Sequence, residues 1–117
     1  MTRCRPFALA AANPGTVDAM GDEVNALLRP GGFFEARLLR SGDRDVIRRI
    51  ATRIGGRPVE VNQTAIRRYA ETGTRPPRIN DEQWAILQEA GPDIRNEFGA
   101  LGGGRFNSIT RIYKPNQ

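Results

Sequence analysis

Gln63, Thr64, Arg67 and Arg68 are the residues whose types and spacing point most directly to a chemistry. On one short helix they would project from its N-terminal half, while Ile66 and Tyr69 pin the helix to a core. Glutamine pairs with the adenine edge and arginine with the guanine edge in the major groove of a DNA duplex. Arg75 and Arg78 follow on a Pro-Pro turn, where they are placed to hold backbone phosphates. Arg44 and Arg48, on a preceding helix, offer further backbone contacts.

A rival set is Glu35, Arg37, Arg105, Arg111, Tyr113 and Lys114. These are residue types with which small histidine-free toxin nucleases activate a ribose hydroxyl and stabilise charge on phosphorus. Arg105, Arg111 and Tyr113 share one face of a final strand by its period of two, and Glu35 and Arg37 share a face of an earlier one. Glu35 would be the base and arginine the charge-stabilising group. A polar outer strand face is the plainer explanation, because antiparallel sheets routinely solvate one side.

Other chemistries lack their residues. The chain has no histidine and a single cysteine, Cys4, so no internal disulfide and no thiolate-imidazole zinc site can form. Gly102-Gly103-Gly104 has no Lys-Ser/Thr after it and leads into a strand, so it reads as a linker and not as a phosphate loop. Asp18, Asp22 and Glu23, like Asp43 and Asp45, read as charge placed near helix N-termini. No cofactor and no metal are expected.

Hydrophobic spacing supplies the elements that must position these residues. Thr16 caps a helix to about Leu28, with Val17, Met20, Val24, Leu27 and Leu28 on its stripe. Pro30-Gly31-Gly32 breaks the chain, and a strand follows from Phe33 to Arg40. A second helix spans Arg44 to Ile54, its stripe Val46, Ile47, Ile50, Ala51 and Ile54, closed by Gly55-Gly56. Arg57 to Val61 is a short strand. Asn62 caps the third helix and Gly73 ends it. Asn80 or Asp81 caps a fourth helix, carrying Trp84, Ile86, Leu87 and Ala90, which Gly91-Pro92 is predicted to stop. Asp93 to Phe98 adds a further turn or two, and Arg105 to Lys114 closes as a strand.

The order α-β-α-β-α-α-β predicts an α+β fold: a small, mainly helical domain with a two- or three-stranded sheet and a helix-turn-helix-like element. Residues 1–15 are expected to be a flexible N-terminal segment, 16–114 one small domain with the helix-turn-helix-like part at about 43–90, and 115–117 a tail.

Ile47 to Leu87 resembles the helix-turn-helix of phage-repressor-type DNA-binding domains. Ile54-Gly55 matches the end of the first helix. Asn62-Gln63-Thr64-Ala65-Ile66-Arg67-Arg68-Tyr69 matches the recognition helix, and Gly73-Thr74-Arg75-Pro76-Pro77 the basic stop behind it. The resemblance implies groove reading by the third helix and, because one such helix reads a half-site, a homodimer. The sequence departs from the pattern between Gly55 and Ile66. The ten residues Gly56 to Ala65 are about twice the usual turn and predict an insertion or a strand, and Pro58 forbids a helix running through.

The charge agrees with an anionic partner. The net charge is +5, and all basic residues but Lys114 are arginines, which grip phosphate or guanine with two bonds. A GC-rich coding bias also raises arginine over lysine, but it explains the net charge less well. The apolar run Pro6 to Ala12 after Arg3 and Arg5 mimics a signal peptide at the short limit; no run is long enough to span a membrane. The expected protein is a cytoplasmic double-stranded DNA binder, a transcriptional regulator or mobile-element protein. Alternatives are a small histidine-free RNase effector, or a phage-type structural or inhibitor protein with a protein partner.

Overall fold

Ser108, Thr110 and Arg111 make half of the six-residue last strand polar, yet five of its residues are buried, and the fold explains why. In the computed structural model, which describes residues 14–38, 40, 42–101 and 107–116, β3 (Ser108–Tyr113) is the central strand of a three-stranded antiparallel sheet. β1 (Phe33–Leu38) and β2 (Arg57–Asn62) flank it, in the order β1-β3-β2. Four helices complete a small α+β domain: α1 (Pro14–Leu27), α2 (Asp43–Ile54), α3 (Gln63–Thr72) and α4 (Asp81–Leu101). The expected flexible segment, the Gly102-Gly103-Gly104 linker and Arg105 fall largely or wholly outside the described residues.

Register fixes which side chains share a face. Phe34 faces Ile112, which faces Pro58; Ala36, Thr110 and Glu60 form the next row. Phe34, Ala36, Leu38 and Ile112 pack with Val17 of α1 and Ile47, Ile50, Ala51 and Ile54 of α2. The opposite face carries Ile109, Val59 and Val61, which pack with Ile66 and Tyr69 of α3 and Ile86, Leu87, Ala90 and Ile94 of α4. The domain is therefore three layers, α1/α2, sheet, α3/α4, with β3 covered on both sides. Ser108, Thr110 and Arg111 are buried as a consequence. The hydroxyls of Ser108 and Thr110, and both carboxylate oxygens of fully buried Asp43, have no hydrogen-bond partner among the described residues.

The helix ends follow local chemistry. Pro14 opens α1, two residues before the expected Thr16 cap, at a position where its missing N–H is no loss. Gly55 takes the left-handed conformation (φ 66°) that closes α2. One expectation is corrected: Gly91-Pro92 does not stop α4, which runs through both residues. Pro92 lies on the exposed side, so water can satisfy the carbonyl one turn back. An interior proline costs about 3 kcal/mol, but continuing the helix buries Ile94 completely, worth about 1.5–3 kcal/mol. Gly91 serves close approach instead: a Cβ there would lie 2.8 Å from the Tyr69 hydroxyl on α3.

β2 is a sheet edge, and its exposure is limited. Pro58 offers no donor, and the Glu60 carbonyl accepts from Gln83 Nε2 at 3.0 Å. The link ties α4 to the strand that leads directly into α3.

Candidate nucleic-acid interface

The third helix is set by its caps. Asn62 is extended (φ −80°, ψ 170°), and its Oδ1 accepts from the Ala65 N–H at 2.9 Å. Gly73 (φ 71°) closes the other end, its N–H donating to the Tyr69 carbonyl. Burial of Ala65, Ile66 and Tyr69 turns Thr64, Arg67, Arg68 and Glu71 to solvent, with Gln63 half-buried beside them. These five residues line one shallow depression of about 180 Å³ on the outer face. The helix thus brings together Gln63, Thr64, Arg67 and Arg68, the four residues picked from sequence.

The following turn is held rigidly. Arg75 donates to the Ile79 carbonyl at 2.9 Å and to Asp81 at 3.1 Å. Asn80 and Gln83 exchange side-chain-to-backbone hydrogen bonds, both 2.8 Å, a capping box that starts α4. Arg78 sits between them with φ 69°, the left-handed region, unusual for a residue other than glycine. A groove of about 610 Å³ results between α3 and this turn, lined by Thr64, Ala65, Arg68, Pro76, Pro77, Arg78 and Ile79, with Val61, Asn62 and Gln83 at its base. No lining residue is acidic.

The other residues picked as backbone contacts have different surroundings. Arg75 is engaged within its own turn, as above, and Arg44 pairs with Glu60 at 3.0 Å. Arg44 and exposed Arg48 ride on α2, whose buried stripe packs on the opposite face of the sheet from α3. The extra residues between Gly55 and Ile66 are mostly β2, so α2 and α3 do not meet through a tight turn. The helix-turn-helix-like expectation rests on α3 and its trailing turn alone.

The rival set is largely enclosed. Arg111 Nε meets Glu35 Oε1 at 2.9 Å and its Nη2 meets Glu89 at 2.6 Å; Arg37 reaches Asp93 at 2.7 Å and Glu35 at 3.4 Å. Glu35 and Arg111 are only 3% and 5% exposed, and the Phe33 ring covers the Arg111 guanidinium at 4.0 Å. Burial opposes the Arg111 charge, but the hydrogen bonds it donates to Glu89 and Glu35 outweigh it and hold its pKa above the usual arginine value. Lys114 Nζ caps α1 by donating to the carbonyls of Asn25 and Leu28 at 2.7 and 2.8 Å. Arg105 lies outside the described residues.

Most arginines of the α2 side are paired, Arg48 excepted. Arg49 pairs with Asp18, Arg53 with Asp22 and Arg57 with Glu82. Arg67, Arg68 and Arg78 have no side-chain partner among the described residues. Sequence reading missed Asn62, Pro76, Ile79 and Gln83 as parts of the site; the Asn80-x-x-Gln83 spacing was the signal that could have placed the groove wall. Among the described residues no cluster of ligating side chains could hold a metal, and no helix is long and apolar enough to cross a membrane. No protein-family model, curated protein or solved structure matches this chain.

Proposed function

We propose that the protein binds double-stranded DNA through the outer face of α3 and acts in the cytoplasm as a regulator or mobile-element protein. The carrying observation is that Arg67, Arg68 and Arg78 gather on one surface without carboxylate partners among the described residues, whereas Arg44, Arg49, Arg53, Arg57 and Arg111 are neutralised by acids. Unpaired arginines attract phosphate without first breaking an internal pair. Gln63, Thr64, Arg67 and Arg68 meet base edges, and Arg78 holds backbone. A homodimer would present two such helices to a palindromic site.

Titration of random-sequence duplex at two salt concentrations tests the reading. Arg67→Ala with Arg68→Ala should cost at least about 1–3 kcal/mol and flatten the salt dependence. Arg49→Ala with Arg53→Ala removes the same formal charge from the paired surface and should leave affinity within a few-fold. Equal losses in the two double variants would mean that net charge alone attracts DNA, and unchanged affinity in the first would sink the assignment.

A further inference from the structure

We infer that the groove beside α3 is a pocket for one unpaired nucleotide, so that the favoured ligand is a duplex flanked by a single-stranded segment. The inference rests on the α3 reading and adds the substrate class that this surface selects.

Shape is the first argument. Reading a duplex needs a protruding element, and the exposed side of α3 supplies it. The adjoining groove is concave, and its volume of about 610 Å³ falls in the range of small-molecule pockets, roughly 300–1,000 Å³. An intact double helix cannot enter such a recess; a base swung out of the stack, or one at a frayed end, can.

Lining chemistry is the second. Ala65, Pro76 and Ile79 form an apolar wall of the kind a base face packs against. Arg68 and Arg78 add two unpartnered guanidinium groups, planes that stack on bases and forks that bind phosphate. No acidic residue lines the groove to repel a phosphate. The Thr64 hydroxyl, without a partner among the described residues, can bond to a base edge or sugar.

Preorganisation is the third. Both ends of the Gln83 amide are engaged, with the Asn80 N–H and the Glu60 carbonyl, so the base of the groove is fixed before any ligand arrives. Arg78 is held in a left-handed backbone conformation after Pro76-Pro77. A non-glycine residue kept in that region marks a position over-determined by its surroundings, a frequent feature of ligand clamps.

The experiment measures affinity of the full chain for three labelled DNAs of equal charge: a blunt duplex, a duplex with a short single-stranded tail, and a single strand. A 2-aminopurine in the tail next to the duplex reports the surroundings of the unpaired base. The tailed duplex should bind about tenfold tighter than the blunt one, as stacking of one base predicts, and the probe's emission should change on binding. Arg78→Gly suits the left-handed backbone, so it should fold; it should erase the preference, lowering tailed-duplex affinity about tenfold more than blunt-duplex affinity, which loses only the Arg78 backbone contact. Arg78→Lys should restore part of the preference. Equal affinity for blunt and tailed duplexes, or a preference that survives Arg78→Gly, overturns the inference while leaving the α3 reading intact. Tail-dependent binding that ignores Arg67→Ala supports the pocket and overturns the duplex-reading role of α3. Binding to none of the three DNAs overturns both.

Discussion

Two helices of this protein carry adjacent or near-adjacent arginines on their surfaces, and the chain treats them oppositely. Arg49 and Arg53 on α2 face Asp18 and Asp22 on α1, each guanidinium touching both oxygens of its carboxylate at 2.9–3.4 Å. The spacing of four on both helices makes a ladder, and Gly21 gives it room, since a Cβ there would lie 2.8 Å from the Arg53 Cγ. On α3, Arg68 lines the groove beside the Pro-Pro turn with no acid, and Arg67 and Arg68 share the outer depression with Glu71 without an ion pair among the described residues. Two arginines on each helix therefore end as a paired set on α2 and an unpaired set on α3, although the exposed Arg48 side chain of α2 also has no partner among the described residues. The neighbour opposite an arginine, more than the arginine itself, decides whether its charge is available to a ligand.

The largest expected effect separates the enclosed arginine network from both surfaces. Glu35→Ala removes the acid shared by Arg111 and Arg37. Among the described residues it leaves the buried guanidinium one carboxylate, Glu89, which is itself half exposed at 55%. Breaking a buried pair in this way costs about 3–5 kcal/mol, measurable by urea unfolding, while DNA affinity of the folded protein should hold. A loss under about 1 kcal/mol would mark the network as behaving like a solvated surface pair. Glu35 would then return as a candidate base.

Much of this architecture was legible in the sequence because its signals are local. The α2 stripe, the Asn62 cap and the left-handed stops at Gly55 and Gly73 follow from neighbours a few residues apart. What escaped depends on distant partners. Continuation of α4 through Pro92 is favoured by burial of Ile94 and by Tyr69 seated against Gly91, neither visible in a window around the proline. Period-two spacing put Arg111 on a strand face, but nothing local said that helices cover both faces. The site was legible as a cluster on α3; the groove was not, since its wall is fixed by Gln83 reaching back to Glu60 across 23 positions. The distinction between paired and unpaired arginines was equally hidden, because Asp18 and Arg49 are 31 positions apart.

A medium effect sharpens the comparison at α3 itself. Asn62→Ala deletes the cap on the Ala65 N–H and should lower stability by about 1 kcal/mol. Asn62→Asp keeps a capping oxygen, so stability should be nearly unchanged, yet it places a carboxylate at the base of the groove that Arg68 and Arg78 line. In thermal melts the two variants should rank Ala below Asp; in DNA titrations the order should reverse. If Asp binds as well as the parent protein, the groove does not meet phosphate.

The smallest effect belongs to the neutralised ladder. Hydrogen bonding to Arg53 holds the Asp22 carboxyl below its usual pKa, and Arg49 does the same for Asp18, against a smaller opposing effect of desolvation. A depressed carboxylate contributes stability above its unfolded pKa and loses it as pH falls through the folded value. Asp22→Asn should therefore lower the melting temperature by no more than a few degrees at neutral pH, with the gap to the parent protein closing below about pH 4. Asp22 and Arg53 are exposed, so salt should shrink the same gap. The substitution also frees Arg53 on the α2 surface, and that makes it the sharper half of the comparison. If an unpaired arginine suffices to attract DNA wherever it stands, Asp22→Asn should raise duplex affinity. If the helix and its groove are what matter, affinity should stay where it was.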